Sequence, residues 1–419
     1  MRVLFLSANF PPEVNAPATR LFEHARRWVA DGGEVEVITD PPNYPEGEVY
    51  DGYENRYCKE KIGQIEVHRV PMYLAENKGG GKRILSYLSF MASAVWFSRK
   101  ATRPDVVVAT SPQFFTAVAG YVVSRLKRTP FVLEIRDLWP ESIVAVGAMR
   151  RNALIRLFER VERFLYRTAD HVVVVTRAFE RHVVANGARP ENVTVLMNGA
   201  DLGIAEADLD PGLLAAIRAE HGFEGKFVAA YAGTLGMAHR ADVLLDAAQR
   251  CPDPDVLWVV IGTGAERAAL EARAAQLNLP NFRLIDKQPK DRIRYFHACT
   301  DVAVVHLRDT PLFRTVIPSK LFEAMAGGIP LVHGVRGESA ALVEASGAGL
   351  VVEPEDPDAL VAAVRRLKDD ADLYRRLSEA GPPYVRAHHD RQVLARRYWA
   401  LLERVAAREP AAPEPLPAA

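Results

Sequence analysis

Lys320 and Glu323 have the residue types and spacing that most clearly suggest chemistry, because they lie three positions apart in the stretch 317–332. This stretch predicts a loop, a short helix with Pro318 in its first turn and glycines at its end, and a buried strand. Residues three apart share a helix face, so a cation and a carboxylate would stand together near the helix start. A helix N-terminus attracts phosphate through its free N–H groups and its dipole. The stretch therefore predicts either a phosphate-binding site or a solvated surface salt bridge.

The composition narrows the class of protein and its compartment. The 419 residues are 49% apolar and 25% charged, which is ordinary for a globular protein of one to three domains. The 53 basic and 53 acidic side chains cancel, so we expect no nucleic-acid binding through bulk charge. Three widely spaced cysteines indicate a reducing compartment and predict neither disulfides nor a zinc site. No apolar run reaches the roughly 18–20 residues that span a bilayer, so we expect a cytoplasmic protein.

Short apolar runs alternate with helical segments along the chain. This alternation predicts parallel sheets, whose strands and helices would position these residues. The first set of strands is complete by about residue 197, and the alternation restarts at Lys226. We therefore predict an α/β fold of two doubly wound domains, at 1–200 and 201–383. A final helix at 384–407 is expected to pack back on the first domain, and the Pro/Ala-rich tail 408–419 is expected to be disordered.

Glycine-bearing loops follow three predicted strands of the second domain, at Gly233, Gly262 and Gly327. Ligands bind parallel sheets at the carboxyl ends of the strands, so these loops indicate a binding site. The loop after the first strand, at 9–19, contains no glycine. A dinucleotide-binding turn needs Gly-x-Gly-x-x-Gly at that place, so an NAD enzyme is disfavoured.

Two helical segments of the first domain have distinctive surfaces. Residues 82–100 are mostly apolar and basic at both ends, which suits either a helix lying at a membrane surface or an ordinary core helix. Residues 152–168 predict an amphipathic helix. Its apolar side carries Leu154, Leu157, Val161, Phe164 and Leu165.

Six motifs, in this order along residues 1–405, resemble those of glycosyltransferase family 4, a large retaining family with the GT-B fold. The motifs are Phe10–Pro12 with Arg20, Ile135–Glu141, Tyr231–Gly236, Ile261–Glu266, Ala298–Val305 and Pro318–Pro330. The second of them looks most like bacterial O-antigen and exopolysaccharide amino-sugar transferases of the L-fucosamine transferase type. The resemblance implies two Rossmann-like domains that face each other across a cleft.

The resemblance also implies a nucleotide-sugar site in the second domain. Glu323 would accept hydrogen bonds from the ribose hydroxyls, and the loop 287–289 would read the base through its backbone, favouring uracil. Without a metal or other cofactor, Lys320 and Arg240 would neutralise the leaving diphosphate. The donor-binding set is Gly233, Thr234, His239, Arg240, Gly262, Gln288, Thr315, Ser319, Lys320 and Glu323.

The chain departs from the family pattern at several of these positions. The family places two glutamates eight positions apart; Glu323 matches the second, but Thr315 stands where the first is expected. His239 and Arg240 are the nearest basic residues to the places of the phosphate-binding arginine and lysine. These departures leave the donor sugar open.

The acceptor side is expected in the first domain. Asn15 and Arg20 would face the cleft if the first loop follows the family, although Arg20 also suits a helix-surface charge. Asp137 could act as the base that receives the acceptor proton, or it could cap a helix or pair with an arginine. Arg136 could bind an acceptor phosphate through its guanidinium. The predicted catalytic residues are Asp137, Arg136 and Lys320.

The predicted function is a retaining, metal-independent transfer of a UDP-activated sugar, an N-acetylated amino sugar, to a polyprenyl-diphosphate-linked saccharide. The enzyme would contact the inner face of the cytoplasmic membrane through 82–100. Two alternatives share the fold: a UDP-N-acetylglucosamine 2-epimerase, and a non-catalytic subunit that binds a nucleotide sugar.

Overall fold

The chain folds into two compact units in a computed structural model. The structure describes residues 1–43, 47–75, 80–111, 113–145, 147, 149–205 and 208–409. Unit 1 comprises Met1–Met197 and Gln392–Ala419, and unit 2 comprises Asn198–Arg391. Residues 410–419 of the predicted tail lie outside the described residues.

Unit 1 is built on an eight-stranded sheet. Its strands are β1 (Arg2–Leu6), β2 (Glu34–Thr39), β3 (Cys58–Ile62), β4 (Ile65–Arg69), β5 (Val106–Thr110), β6 (Phe131–Ile135), β7 (His171–Val174) and β8 (Val193–Val195). Its helices up to residue 197 are α1 (Ala16–Ala30), α2 (Gly80–Phe97), α3 (Phe114–Lys127), α4 (Glu141–Ala145), α5 (Ala153–Thr168) and α6 (Arg177–Ala185). The strand order is β3-β4-β2-β1-β5-β6-β7-β8, and the pairs from β4 to β8 are parallel.

The strand β3 was not predicted, and it pairs antiparallel with β4 at the edge of the sheet. Its sequence, Cys-Lys-Glu-Lys-Ile, lacks the apolar run by which the buried strands were recognised. A half-exposed edge strand does not need two apolar faces, so hydrophobic patterning alone does not find it.

Helices cover both faces of this sheet. Val108 and Val132 share a buried cluster with Trp28 of α1, on one face. Ala109 and Phe131 point to the other face, where Gly120 of α3 comes so close that a Cβ there would lie 2.3 Å from the Ala109 Cβ. This layering explains why β1, β5, β6 and β7 consist mainly of apolar residues.

Unit 2 has a six-stranded parallel sheet in the order β11-β10-β9-β12-β13-β14. The strands are β9 (Phe227–Ala232), β10 (Val256–Ile261), β11 (Phe282–Ile285), β12 (Val302–His306), β13 (Leu331–Gly334) and β14 (Gly349–Val351). The helices are α7 (Leu202–Ala205), α8 (Pro211–His221), α9 (Asp242–Arg250), α10 (Arg267–Leu277), α11 (Lys290–Ala298), α12 (Lys320–Ala326), α13 (Glu338–Ser346), α14 (Pro357–Asp369) and α15 (Ala371–His388).

The strand order of unit 2 reverses between β9 and β12. The chain leaves β9 towards β10 on one side, and it leaves β12 towards β13 on the other. At such a switch point the two outgoing loops separate and open a crevice in which ligands bind. The loop that begins at Gly233 and the loop that leads to Lys320 are the two loops at this point.

The predicted final helix is two helices, α15 and α16 (Arg391–Ala407). The helix α15 begins at Ala371 and runs through Pro382 and Pro383, whereas the predicted helix begins only after them, at residue 384. Its Gly381 packs so closely on α12 that a Cβ there would lie 2.5 Å from the Met325 carbonyl oxygen, so tertiary packing outweighs the proline penalty. The break follows at Asp390, which bridges to Ala200.

A buried ion pair crosses the core of unit 1. Arg20 of α1 places Nε 3.3 Å from Glu134 Oε1 on β6, and both side chains are less than a tenth exposed. The guanidinium also donates to the carbonyl oxygens of Leu196, at 3.1 Å, and Met197, at 3.3 Å. Arg20 therefore has a structural role, joining α1, β6 and the end of β8.

The attachment of α16 to α1 can be tested at Trp28. This side chain is 1% exposed, stacks on His24, meets Tyr398 edge-on and donates from Nε1 to the Ala395 carbonyl oxygen at 2.8 Å. We expect Trp28→Ala to lower the free energy of unfolding by about 3–5 kcal/mol, measured by urea unfolding with circular dichroism. Trp96→Ala, at a 59% exposed position of the same unit, should cost less than about 1 kcal/mol. An equal loss of unfolding free energy in the two variants would contradict the packing of Trp28 between α1 and α16.

The buried ion pair gives a second stability prediction. Glu134→Ala leaves the Arg20 charge buried without its carboxylate, so we expect a loss of about 3–5 kcal/mol in urea unfolding. The control is Glu34→Ala, which breaks the surface pair with Arg2 and should cost less than about 1 kcal/mol. The double variant Arg20→Met with Glu134→Leu should recover most of the loss. If Glu134→Ala costs no more than its control, the pair is not structural.

Candidate functional site

Two glycine loops of unit 2 lie against each other, backbone to backbone. The Leu235 N–H donates to the Thr263 carbonyl oxygen at 2.9 Å, and the Gly233 N–H donates to Ile261 at 2.9 Å. A Cβ on Gly262 would lie 1.9 Å from the Gly233 carbonyl oxygen, and the φ of Gly262 is +154°. Glycine is therefore required there by space as well as by conformation. The loops that the sequence singled out after β9 and β10 form one surface. The prediction for the third loop was wrong, because Gly327 ends α12 just before the amino end of β13 and does not follow a strand.

Arg267 holds the second of these loops through hydrogen bonds to its backbone. Its guanidinium donates to the Gly262 carbonyl oxygen at 2.7 Å and to Ile285 at 2.9 Å, and it pairs with Asp286 at 2.9 Å. The backbone that faces the first loop is thereby fixed by a charge-assisted hydrogen bond.

Lys320 brings a cation to the first glycine loop. Its Nζ lies 3.5 Å from the centre of the Tyr231 ring, and a Cβ on Gly233 would be 2.8 Å from it. The Nζ atom is buried and has no hydrogen-bond partner within the described part of the chain. Burial lowers the pKa of Lys320 to about 7, although Glu323 opposes that change. An ammonium held on an aromatic face without an acceptor is positioned to receive an anion.

The salt bridge that the spacing of Lys320 and Glu323 allowed is not formed. The Glu323 carboxylate is about half exposed, and its ion-pair partner is Arg391, at 3.9 Å. Pro318 also lies just before α12 rather than within its first turn, because Ser319 takes the N-cap position without a side-chain cap bond. A solvated surface pair therefore does not describe these residues.

His239 and Arg240 follow the first glycine loop but differ in charge. Burial and the nearby Lys320 lower the pKa of His239 to about 3, so this imidazole is neutral at physiological pH and accepts from the Gly236 N–H at 3.3 Å. Arg240 forms ion pairs with Asp242, at 3.0 Å, and with Glu355, so two carboxylates already balance its charge. Lys320 differs from both, because in the described part of the chain no hydrogen-bond acceptor meets its ammonium.

Three other predicted donor residues make local contacts. The Thr315 hydroxyl donates to the Leu312 carbonyl oxygen at 2.6 Å, and Gln288 donates to Asp286 at 3.0 Å. The Thr234 carbonyl oxygen accepts from the Tyr231 hydroxyl at 2.7 Å, which orients the ring under Lys320. Their roles toward a donor stay predictions.

Arg308 is a residue that the sequence analysis missed. It follows β12 at the switch point, and its N–H donates to the Ala238 carbonyl oxygen at 2.8 Å. Its Nε is buried without a hydrogen-bond partner in the described ranges. Its position two residues after β12, a strand at the switch point, could have identified Arg308 from the sequence. It was missed because it lies in none of the six motifs.

The predicted acceptor residues of unit 1 serve local structure. Asn15 is the N-cap of α1: its Oδ1 accepts from the Ala18 N–H at 3.0 Å, and its Nδ2 donates to Asn9 Oδ1 at 2.7 Å. Arg20 is the buried partner of Glu134 described above. Both contacts explain these residues without an acceptor, so their acceptor roles stay predictions.

Arg136 and Asp137 follow β6, and the N–H groups of both donate to the Ser111 hydroxyl, at 2.8 and 3.3 Å. Burial lowers the pKa of Arg136 to about 10, although Glu134 opposes this. Burial raises the pKa of Asp137 against hydrogen bonds from Ser142 and the Leu138 N–H. Asp137 lines a small pocket whose walls include Phe114, Trp139, Leu165 and Tyr166. The side-chain bond to Ser142 joins Asp137 to α4 without capping a backbone N–H of that helix, and the raised pKa fits a proton acceptor.

Glu36, Glu66 and His68 are a group of possible metal ligands within the described residues, with ligand atoms within 4.8 Å of one another. A hydrogen-bond network already explains the group. His68 contacts Glu36 through Nε2 at 3.0 Å and Tyr57 through Nδ1 at 3.0 Å. The cluster belongs to unit 1, whereas the glycine loops belong to unit 2.

Comparisons with known proteins agree with this architecture. The model of the "Glycosyl transferase 4-like domain" matches residues 15–199, and that of "Glycosyl transferases group 1" matches residues 215–383. The chain is 26% identical over 379 residues to the Escherichia coli protein named "Putative colanic acid biosynthesis glycosyl transferase WcaI", covering 87% of this chain and 92% of that protein.

Solved structures show the same fold. Sucrose-phosphate synthase from Thermosynechococcus elongatus superposes with a TM-score of 0.77 at 16% identity, over 97% of this chain and 100% of that one. HepE of Anabaena, in complex with UDP, superposes with a TM-score of 0.69 at 18% identity, over 96% and 100%. The two family matches and the two parallel-sheet units lead to one conclusion: this chain belongs to the family 4 glycosyltransferases, which have the GT-B fold.

Proposed function

We propose that the protein is a retaining glycosyltransferase that needs no metal or other cofactor and uses a UDP-sugar donor. It moves an N-acetylated amino sugar to a polyprenyl-diphosphate-linked saccharide in cell-surface polysaccharide biosynthesis. The observation that carries the proposal is the Lys320 ammonium, buried without a hydrogen-bond partner in the described residues, against Gly233. The UDP bound to HepE and the colanic acid named for WcaI support the donor and the pathway class.

The transfer breaks the bond between the anomeric carbon and a phosphate oxygen, and the electron pair stays on the departing diphosphate. Lys320 neutralises that growing charge, and the side-chain-free backbones of Gly233 and Gly262 let the phosphates come close. The ammonium is held in place before the reaction, so little reorganisation is needed when the charge develops. Glu323 accepts hydrogen bonds from the ribose hydroxyls.

The acceptor hydroxyl loses its proton as the new glycosidic bond forms. In a same-face mechanism the departing phosphate oxygen receives that proton, and the sugar keeps its anomeric configuration. Asp137 is the alternative acceptor, because burial raises the pKa of its carboxyl toward the range that suits a base. Arg136, next to it, offers a planar fork of donors for an acceptor phosphate.

The proposed membrane contact uses α2. Phe90 and Ala94 on one side of this helix are buried, whereas Leu85 and Trp96 are 52% and 59% exposed. Arg99 stacks over the Trp96 ring at 3.5 Å. Within the ranges that the structure describes, no helix is both long and apolar enough to cross a membrane. We therefore propose peripheral contact at the inner face of the cytoplasmic membrane.

A thermal-shift panel tests the donor. We expect UDP-sugars to raise the melting temperature more than GDP-, ADP- or dTDP-sugars, because a ligand at 100 times its Kd stabilises by about 2.7 kcal/mol. Lys320→Met should abolish most of the shift. Lys226→Met is the control, because Lys226 pairs with Asp255 at the opposite end of β9. A shift with GDP-sugars alone would refute the uracil preference, and a new UDP-sugar formed without acceptor would identify an epimerase.

The pKa of Lys320 predicts how UDP binding depends on pH. Below pH 7 the ammonium is already charged; above it the free protein has lost the proton, and binding must take one up. After allowance for the terminal phosphate of UDP, whose second pKa is about 6, we expect the Kd to rise about twofold from pH 6 to 7 and by up to about tenfold per unit above that. Titration calorimetry in two buffers of different ionisation enthalpy measures the proton uptake. Lys320→Arg should bind with no such pH dependence, and a flat profile in the unmodified protein would refute the assignment.

A further inference from the structure

The helix α5 buries a different side from the one that its apolar stripe predicts. Its buried residues are Ile155, Phe158, Glu162, Leu165 and Tyr166. Leu154, Leu157 and Phe164, which the sequence placed on the apolar side, are 38%, 50% and 46% exposed. Together with Val161 they follow one another at spacings of three, four and three, so they form one continuous apolar stripe along the surface.

A stripe of arginines runs beside this apolar stripe. Arg156, Arg160, Arg163 and Arg167 follow one another at spacings of four, three and four, and all four are exposed. None of them forms an ion pair within the described part of the chain. Arg150 and Arg151, which precede the helix, are also exposed and also form no ion pair there. Residues 149–168 thus contain six arginines and two glutamates, in a chain whose formal net charge is zero.

The two acidic residues of this segment do not neutralise the stripe. Glu162 is buried and accepts from the Tyr166 hydroxyl at 2.7 Å, on the protein side of the helix. Glu159 is half-buried and forms no ion pair among the described residues. The outer surface of α5 therefore combines a concentrated positive charge with exposed large apolar side chains.

The surface continues on the neighbouring helix α3. Phe164 meets the Tyr121 ring edge-on at 5.1 Å, and Arg125 lies over the same ring at 5.2 Å. Leu126 is 65% exposed. The segment 114–128 contains Arg125, Lys127 and Arg128 and no acidic residue.

We propose that α5 lies flat on an anionic lipid surface, with its leucines and phenylalanine among the acyl chains and its arginines on the lipid phosphates. Helices that lie in a membrane interface pair large apolar residues with a cationic polar face in this way. Arginine suits the contact because its planar fork binds a phosphate through two hydrogen bonds, while its stem packs on apolar groups. The occupant is an anionic lipid headgroup layer, and the helix extends the membrane contact proposed for α2.

Charge decides between this occupant and two others. A second copy of the chain would bring the same arginine stripe against itself, and like charges across an interface repel. A soluble polyanion would use the arginines but leave Leu157 and Phe164 in water. Of these three occupants, the lipid layer is the one that satisfies both stripes.

Vesicle flotation tests the proposal on the full chain, without donor or acceptor. The protein should float with vesicles of equal phosphatidylglycerol and phosphatidylcholine, remain unbound with phosphatidylcholine alone, and dissociate in high salt. Arg160→Glu with Arg163→Glu should weaken binding at least about twenty-fivefold, about fivefold for each arginine removed. Leu157→Gln with Phe164→Gln should weaken it about tenfold. Circular dichroism should show both variants folded, because the changed side chains are exposed.

The matched control is Arg396→Glu with Arg397→Glu, which changes two exposed arginines of α16 in the same unit. The Leu394 and Tyr398 side chains of that helix pack on the sheet face opposite α3. We expect its vesicle binding to stay within about twofold of the unmodified protein. Equal loss in this control, unchanged binding by the glutamine variant, or self-association lost in that variant would each overturn the proposal.

The proposal rests on the proposed function in one respect: the lipid contact would serve transfer to a lipid-linked acceptor. The experiment separates the two, because vesicle binding is measured without transfer. Transfer to a short water-soluble acceptor should be the same in the α5 variants as in the unmodified protein. Vesicle binding without any transfer would support the α5 surface and refute the proposed function. Transfer without vesicle binding would support the proposed function and refute the α5 surface.

Discussion

The contact between the glycine loops at Gly233 and Gly262 is the constraint on which the rest of unit 2 depends. It brings two main chains so close that no Cβ fits between them, and it lies at the ends of adjacent parallel strands. Because the strand order reverses beside it, the loop from β12 reaches the same edge and delivers Lys320 onto Gly233. A helix residue thereby meets a strand-end loop almost ninety positions earlier in the chain. The fold, and not a local motif, assembles this surface.

Two buried cations of the molecule differ in how the surrounding groups compensate their charge. Arg20 has a carboxylate and two carbonyl oxygens around its guanidinium, so its burial is compensated within unit 1. Among the described residues, the Lys320 ammonium has no hydrogen-bond partner and lies over the face of Tyr231, which attracts a cation but accepts no ordinary hydrogen bond. Burying a charge without compensation costs free energy, and that cost is recovered when an anion binds. Arg240 is similar to Arg20 in having carboxylate partners, and its predicted role toward a donor diphosphate stays a prediction.

Much of the fold followed from the sequence, because strands buried on both faces are continuous apolar runs and glycines mark the tight loops between them. The family also followed from the order of motifs such as Pro318–Pro330. The edge strand β3 and the helix through Pro382 were missed, because local composition does not report an exposed edge or a tertiary contact with α12. The pairing of Arg20 with Glu134 and of Arg240 with Glu355 was equally invisible, since in each pair the two residues lie more than a hundred positions apart. The sequence identified the charged residues, but it could not identify the distant groups that compensate their charge.

The helix α5 shows why an apolar stripe does not by itself identify a core-facing side. The stripe of Leu154, Leu157, Val161 and Phe164 has helical spacing, and so does the side that packs on α3 and α6. The packed side includes Glu162 and Tyr166, whose mutual hydrogen bond satisfies them inside the protein and removes the need for a purely apolar face. Hydrophobicity therefore cannot rank the two sides, but charge can. A row of arginines that finds no carboxylate among the described residues marks the outer side, because the protein core has no means to solvate it.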